Sequence, residues 1–375
     1  MKNPILKKII IAFFIVIGIL LVLFLSKEIA VRFFNYKPPA ISQSQVKRTK
    51  QVDVSFKEDE KYKQIVTERF IYFIGVNKIT VADEDGNKKN EIDIVASQPI
   101  IKSSGEYVVV ADAGGKNVYI INGQNLKNTI QTHGKLVNAS INSKGYTVVV
   151  TEGDMHKRDV TVYNVKGKEQ FVWNSGSLFV LSAAIADNNK NIIISTLDTS
   201  EGKMKSHLSF YNISDVKPIA SEDYVDELFA VVEIRGNYAY CIGDSKTCIY
   251  RISGDKNGEI PYNGKTLTTY RTGKSDIVMA FSESALSGKR YNIETYNTSG
   301  KRVGNYEIDY KINYLDFAEN VIAINRGSLI DIVDIYGRGK KLIDPEIDIN
   351  DLSFLGGTSK AVGFTANGAY IFSVK

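Results

Sequence analysis

Three histidines, two cysteines and one tryptophan are all that the 375-residue chain offers of the side chains most used for metal and redox chemistry. So small a stock of soft ligands excludes a cysteine-rich zinc module or a cluster site. No Gly-x-Ser-x-Gly elbow, phosphate-binding glycine loop or His-Glu-x-x-His motif occurs, so no residue is assigned a catalytic or metal-ligating role and no cofactor is expected. Helical periodicity is also missing after residue 50. What remains, 43% hydrophobic and 24% charged, is enough for an ordinary globular core and excludes wholesale disorder.

Positive charge is unevenly placed. The first fifty residues hold seven Lys, two Arg and one Glu, a net +8 against +5 for the whole chain, so the remainder carries −3. The basic character belongs to the N-terminus, which argues against a nucleic-acid-binding body. Ile9 to Leu25 is a run of seventeen residues without a charge, with Lys2, Lys7 and Lys8 before it and Lys27 and Glu28 behind. At about 1.5 Å per residue the run nearly spans a hydrocarbon core of roughly 30 Å. A cleaved signal peptide is the rival, but its apolar region is shorter and ends in a small-x-small site, whereas Ala30 has Glu28 two residues before it. The expected organisation is a cytoplasmic N-terminus (1–8), a single-pass transmembrane helix (9–26), a stalk (27–50) containing Lys37-Pro38-Pro39, and a body (51–375) outside the cytoplasm at the plasma membrane.

The body repeats itself. Short strands ending in a turn recur as ITVADEDGN (79–87), VYIINGQN (118–125), VTVYNVKGK (160–168), LSFYNISDV (208–216), CIYRISGDK (248–256), IETYNTSGK (293–301) and DIVDIYGRGK (331–340). The residue closing each strand is Asp83, Asn122, Asn164, Asn212, Arg251, Asn297 and Asp334, at separations of 39, 42, 48, 39, 46 and 37, and Ser373 follows 39 further on. Alternating β-branched and aromatic residues suit a pleated strand, and Asn or Asp followed by Gly supplies a tight turn. A second, more apolar run precedes each row, for example YVVVAD (107–112) and NIIISTLD (191–198). Four short strands per roughly forty residues predict an all-β fold, a β-propeller of eight blades with seven as the alternative. QVDVSF (51–56) has no partner of its own and is expected to pair beside the C-terminal strand, closing the ring.

A lysine-flanked anchor, a proline stalk and about eight rows such as YNTSGK together resemble an uncharacterised family of single-pass, membrane-anchored proteins of low-GC Gram-positive bacteria. The resemblance covers the whole chain, rests on structural turns and implies no activity. The rows lack the Gly-His and Trp-Asp pairs of WD40 blades, and Trp173 alone cannot make the tryptophan ring of quinoprotein propellers.

Candidate sites are few. Cys241 and Cys248 are symmetric about Asp244-Ser245, so a hairpin there places them opposite one another, as a disulfide or as two buried thiols. Asp83-Glu84-Asp85-Gly86-Asn87 falls in the turn column and lacks the Glu of a calcium loop, so it reads as a solvated turn. His133, His156 and His207 fall on different blades. Connections between the paired inner strands vary in length, and they offer Met155, His156, Lys157, Arg158, Lys203, Met204, Lys205, Lys289 and Arg290. Variable loops on a rigid ring are where binding usually lives. The expected function is a non-catalytic binding or scaffolding module at the cell envelope, its partner another envelope protein or an anionic wall polymer and not nucleic acid. The alternative is a propeller hydrolase or lyase acting on envelope glycans or a small signal molecule.

Overall fold

The computed structural model describes residues 43–45, 50–54, 62–200, 202–282 and 290–374. The described residues, from Gln43 onward, belong to one compact unit. The expected anchor 9–26 and most of the stalk lie outside the described residues, among which no helix is long and apolar enough to cross a membrane.

Every described element is a strand, and the strands form eight sheets, antiparallel but for one added parallel strand. These are the blades of a propeller, spanning 63–93, 99–131, 136–174, 179–225, 231–261, 266–308, 314–344 and 351–373. The first strands of successive blades lie side by side around a central lumen, and Lys63–Val66 of blade 1 meets Asp351–Leu355 of blade 8. The count of eight therefore holds, and the periodic column, Asn or Asp in six blades with Arg251 in blade 5 and Ser373 in blade 8, marks the C-terminal end of each blade's third strand.

The apolar second strands explain why the ring is stable. In Tyr107–Asp112, Val108 and Val110 face the core shared with blade 1, while Val109 and Ala111 face the core shared with blade 3. A strand buried on both faces has no solvent side, so it reads as a continuous apolar run rather than an alternation. Eight such inter-blade cores follow one another around the ring, one for each neighbouring pair.

Closure uses the N-terminal segment. Lys50 and Gln51 pair antiparallel with Ile371 and Tyr370, and the Val52 N–H donates to the Ala369 carbonyl at 2.9 Å. Val52, 2% exposed, packs into the core between blades 8 and 1. The pairing is shorter than the expected 51–56 because the Asp53 N–H donates to the Gly86 carbonyl of blade 1, turning the chain off the sheet edge. Residues 55–61 lie outside the described residues. Gln43–Gln45, within the stretch read as stalk, adds a parallel fifth strand to blade 7, with Gln43 opposite Leu342 and Gln45 opposite Asp344.

In four blades the repeated turn has one geometry, and it has a second purpose. The Asn297 side-chain carbonyl accepts the N–H groups of Ser299 and Lys301, and the Gly300 N–H returns to the Asn297 carbonyl at 3.0 Å. Asp83, Asn164 and Asp334 do the same for the second and fourth residues after them. Gly300 has φ +76°, and a Cβ there would lie 2.4 Å from the Glu259 carbonyl oxygen of the preceding blade. Glycine thus both permits the left-handed turn and lets one blade touch the next.

Candidate functional site: the upper loops and the lumen

Because four antiparallel strands alternate in direction, the connections between second and third strands share one face with the connections between blades. We call this the upper face. The blade 3 loop, between Thr147–Glu152 and Arg158–Tyr163, carries Met155, His156 and Lys157. Met155 is 91% exposed. Lys157 is held more firmly: its N–H donates to the Gly176 carbonyl, and its ammonium sits 3.8 Å from the centre of the Phe179 ring at the start of blade 4. The Arg158 N–H donates to Ser175 Oγ.

On blade 4 the loop between Asn191–Asp198 and Lys205–Asn212 exposes Lys203 and Met204. Lys205 is committed to Asp223 at 2.8 Å, and the same carboxylate takes His207 Nδ1 at 2.6 Å. Lys205 holds the Asp223 carboxyl below the usual range, with burial opposing and His207 assisting. Arg290 is exposed two blades away, beside a recess lined by Tyr291, Asn292, Glu307 and Asp309. Lys289 lies outside the described residues. The upper face therefore places Met155, Lys157, Lys203 and Met204 on adjacent blades, while Lys205 is absorbed by an internal ion pair and Arg290 stands apart.

The histidines share no partner: His133 approaches Glu169 at 3.8 Å and His207 binds Asp223. Asp83 is a turn residue, as expected. Burial would raise its carboxyl, but Lys89 and the Asn87 and Asp85 N–H groups hold it at about 2. Among the described residues no group of three or more His, Cys, Asp or Glu could hold a metal ion.

Cys241 and Cys248 are direct cross-strand partners, both buried and both free thiols. The Gly243 N–H donates to the Lys246 carbonyl at 2.8 Å, so two residues back the cysteines occupy a hydrogen-bonded pair, the wider of the two antiparallel spacings. A disulfide needs Cβ atoms roughly 3.5–4.5 Å apart, the narrow end of what such strands provide. Burial pushes the Cys241 thiol well up and Cys248 to about 11, so both stay protonated and unreactive while folded.

The lumen carries a set of charged residues that the repeat pattern conceals. Glu233 on the first strand of blade 5 (Val231–Arg235) accepts Thr272 Oγ1 at 2.6 Å and lies 3.5 Å from Arg235. Burial would raise its carboxyl, yet Arg235, Thr272, Lys102 and Arg271 bring it below the ordinary value. Arg271 of blade 6 donates from Nε to Asp316 of blade 7 at 3.3 Å and lies 4.4 Å from the Tyr314 ring centre. Asp316 also accepts the Phe354 N–H of blade 8 at 2.7 Å, and Gln64 of blade 1 donates to Asp351 of blade 8 at 3.0 Å. Burial raises the carboxyls of Asp316 and Asp351 despite Arg271 and these hydrogen bonds. The signal was present as polar residues inside short apolar strands, such as Tyr314–Ala318 and Asp351–Leu355, but only ring closure brings blades 5 to 8 and blade 1 around one space.

Solved structures share the architecture. The BamB protein of Moraxella catarrhalis is 10% identical, with 87% of this chain and 98% of that chain covered at a TM-score of 0.52. The C-terminal WD40 domain of Sif2 is 11% identical, with coverage of 86% and 99% at a TM-score of 0.58. At such identities the likeness concerns the fold. No curated protein matches the chain. Residues 41–371 match a family of unknown function, DUF5711, and the chain belongs to that family.

Proposed function

We propose that this protein is a single-pass membrane-anchored propeller held outside the cytoplasm, where it acts as a non-catalytic binding or scaffolding module of the cell envelope. The observation that carries the binding role is the upper face of blades 3 and 4. Two extended loops there present Met155, Lys157, Lys203 and Met204 on a frame whose second strands, Thr147–Glu152 and Asn191–Asp198, are buried along most of their length. A rigid ring with exposed apolar and cationic tips suits contact with an acidic surface, an envelope protein or an anionic wall polymer. The anchor, resting on the apolar run Ile9–Leu25, raises the local concentration of the ring near such partners.

The test is capture of envelope components by the full-length chain and by the triple variant Met155→Ser, Lys157→Ser, Lys203→Ser. The reading requires that the variant fold normally and lose its partner, and equal capture by both refutes it. The alternative, a hydrolase or lyase, draws on the raised carboxyls of Asp316 and Asp351 in the lumen. Both are engaged by Arg271, Gln64 and backbone N–H groups rather than poised beside a free base, which favours binding over catalysis.

A further inference from the structure

We propose that the lumen binds a small neutral polyol, of the size of a single sugar ring, at a site distinct from the upper loops. Two cavities of about 190 and 200 Å³ occupy the centre of the ring, and Ser103 lines both. A cavity of about 150 Å³ admits benzene, so each has room for a six-membered ring.

The class of ligand follows from the charges. Lys102, Arg235, Asp187 and Glu233 line the first cavity; Arg271, Asp316 and Asp351 line the second. Three cations and four carboxylates are interspersed around the space, so both signs face it. An anionic ligand meets a carboxylate and a cationic ligand meets a guanidinium or ammonium, so neither sign is favoured. An apolar ligand would strip these groups of water without replacing their hydrogen bonds. Hydroxyl groups both donate and accept, so a polyol can satisfy such a lining at several points.

Unused hydrogen-bonding capacity faces the same space. Most lumen polar groups are consumed in stitching blades together: Ser140 Oγ donates to the Ala183 carbonyl at 2.7 Å, and Ser182 Oγ accepts the Val232 N–H at 3.1 Å. The side chains of Lys102, which is exposed, and of Ser103, Ser104 and Ser353 have no hydrogen-bond partner among the described residues, although all four residues line the cavities. Lys102 senses Glu233 only through its charge. These four groups are what a polyol would engage.

The experiment is calorimetric titration of the full-length chain in detergent with four probes of one size: D-glucose, N-acetyl-D-glucosamine, D-glucuronate and D-glucosamine. Ser103→Leu, at the junction of the cavities, and Ser353→Leu, in the second, fill space without removing a hydrogen bond, and each is checked for an unchanged unfolding midpoint. The expected result is saturable binding of at least one neutral sugar, weakened tenfold or more by either variant that folds. Binding confined to glucuronate or to glucosamine overturns the neutral class; no binding, or binding that both variants leave intact, overturns the site. Upper-loop variants leave this titration unchanged, so its failure is separable from failure of the proposed envelope function.

Discussion

Gly300 and Gly264 have nearly the same backbone, φ +76° and +78°, but different surroundings, and that difference tests how the blades are held together. A Cβ on Gly264 meets nothing within 4 Å, so Gly264→Ala should cost only the left-handed conformation, about 1 kcal/mol. A Cβ on Gly300 would stand 2.4 Å from the Glu259 oxygen and 2.9 Å from its nitrogen, both backbone atoms of the strand Lys256–Pro261 in blade 5. That strand is hydrogen-bonded along its length to Lys246–Arg251 and cannot yield by rotating a side chain. Prying the two blades apart adds about 1–3 kcal/mol of overpacking, so Gly300→Ala should lose about 2–4 kcal/mol in all. Equilibrium urea unfolding of the full-length chain, followed by the fluorescence of its only tryptophan, Trp173, reads both values from the midpoints at constant slope. If the two variants lose the same stability, within about 0.5 kcal/mol of each other, the turn glycines are conformational only and the inter-blade argument fails.

Asp331 of blade 7, accepting hydrogen bonds from Tyr306 and Tyr310, has its carboxyl lifted by burial from 3.8 to about 6, with Tyr306 opposing. The folded acid holds its proton more tightly than the unfolded one, so the ring should gain up to about 3 kcal/mol as pH falls from 6 toward 4 and lose it as pH rises through 6. Asp331→Asn should flatten that slope in unfolding experiments across this range, and an unaltered slope would place the titration elsewhere. For the cysteines, the register predicts two thiols titratable after denaturation without reductant and none before; absence of both until reductant is added would establish the cross-strand disulfide instead.

Legibility in the sequence tracked how local each feature is. The Asn and Asp column, the apolar second strands and the hairpin opposing Cys241 to Cys248 all depend on residues within one blade, and each stands where spacing placed it. Closure was legible as a need, since QVDVSF (51–56) has no partner of its own, but its extent was not. The length of Lys50–Gln51 is set by Gly86, and Gln43–Gln45 finds its partner at Gly339–Asp344, on the far side of the sequence.

The candidate sites divide the same way. Loop length between two strands of one blade is visible in a sequence, so Met155, Lys157, Lys203 and Met204 could be named in advance. That Lys205 is spent on Asp223 was not visible, because strand register decides which side chains face one another. The lumen was least legible of all: Gln64, Glu233, Arg271, Asp316 and Asp351 span most of the chain. By itself the sequence determined an all-β ring of repeated four-stranded units, because strand period and turn chemistry act over a few residues. Only the tertiary structure decided which charges share the lumen, because a closed ring makes the first strands of all eight blades neighbours of one central space.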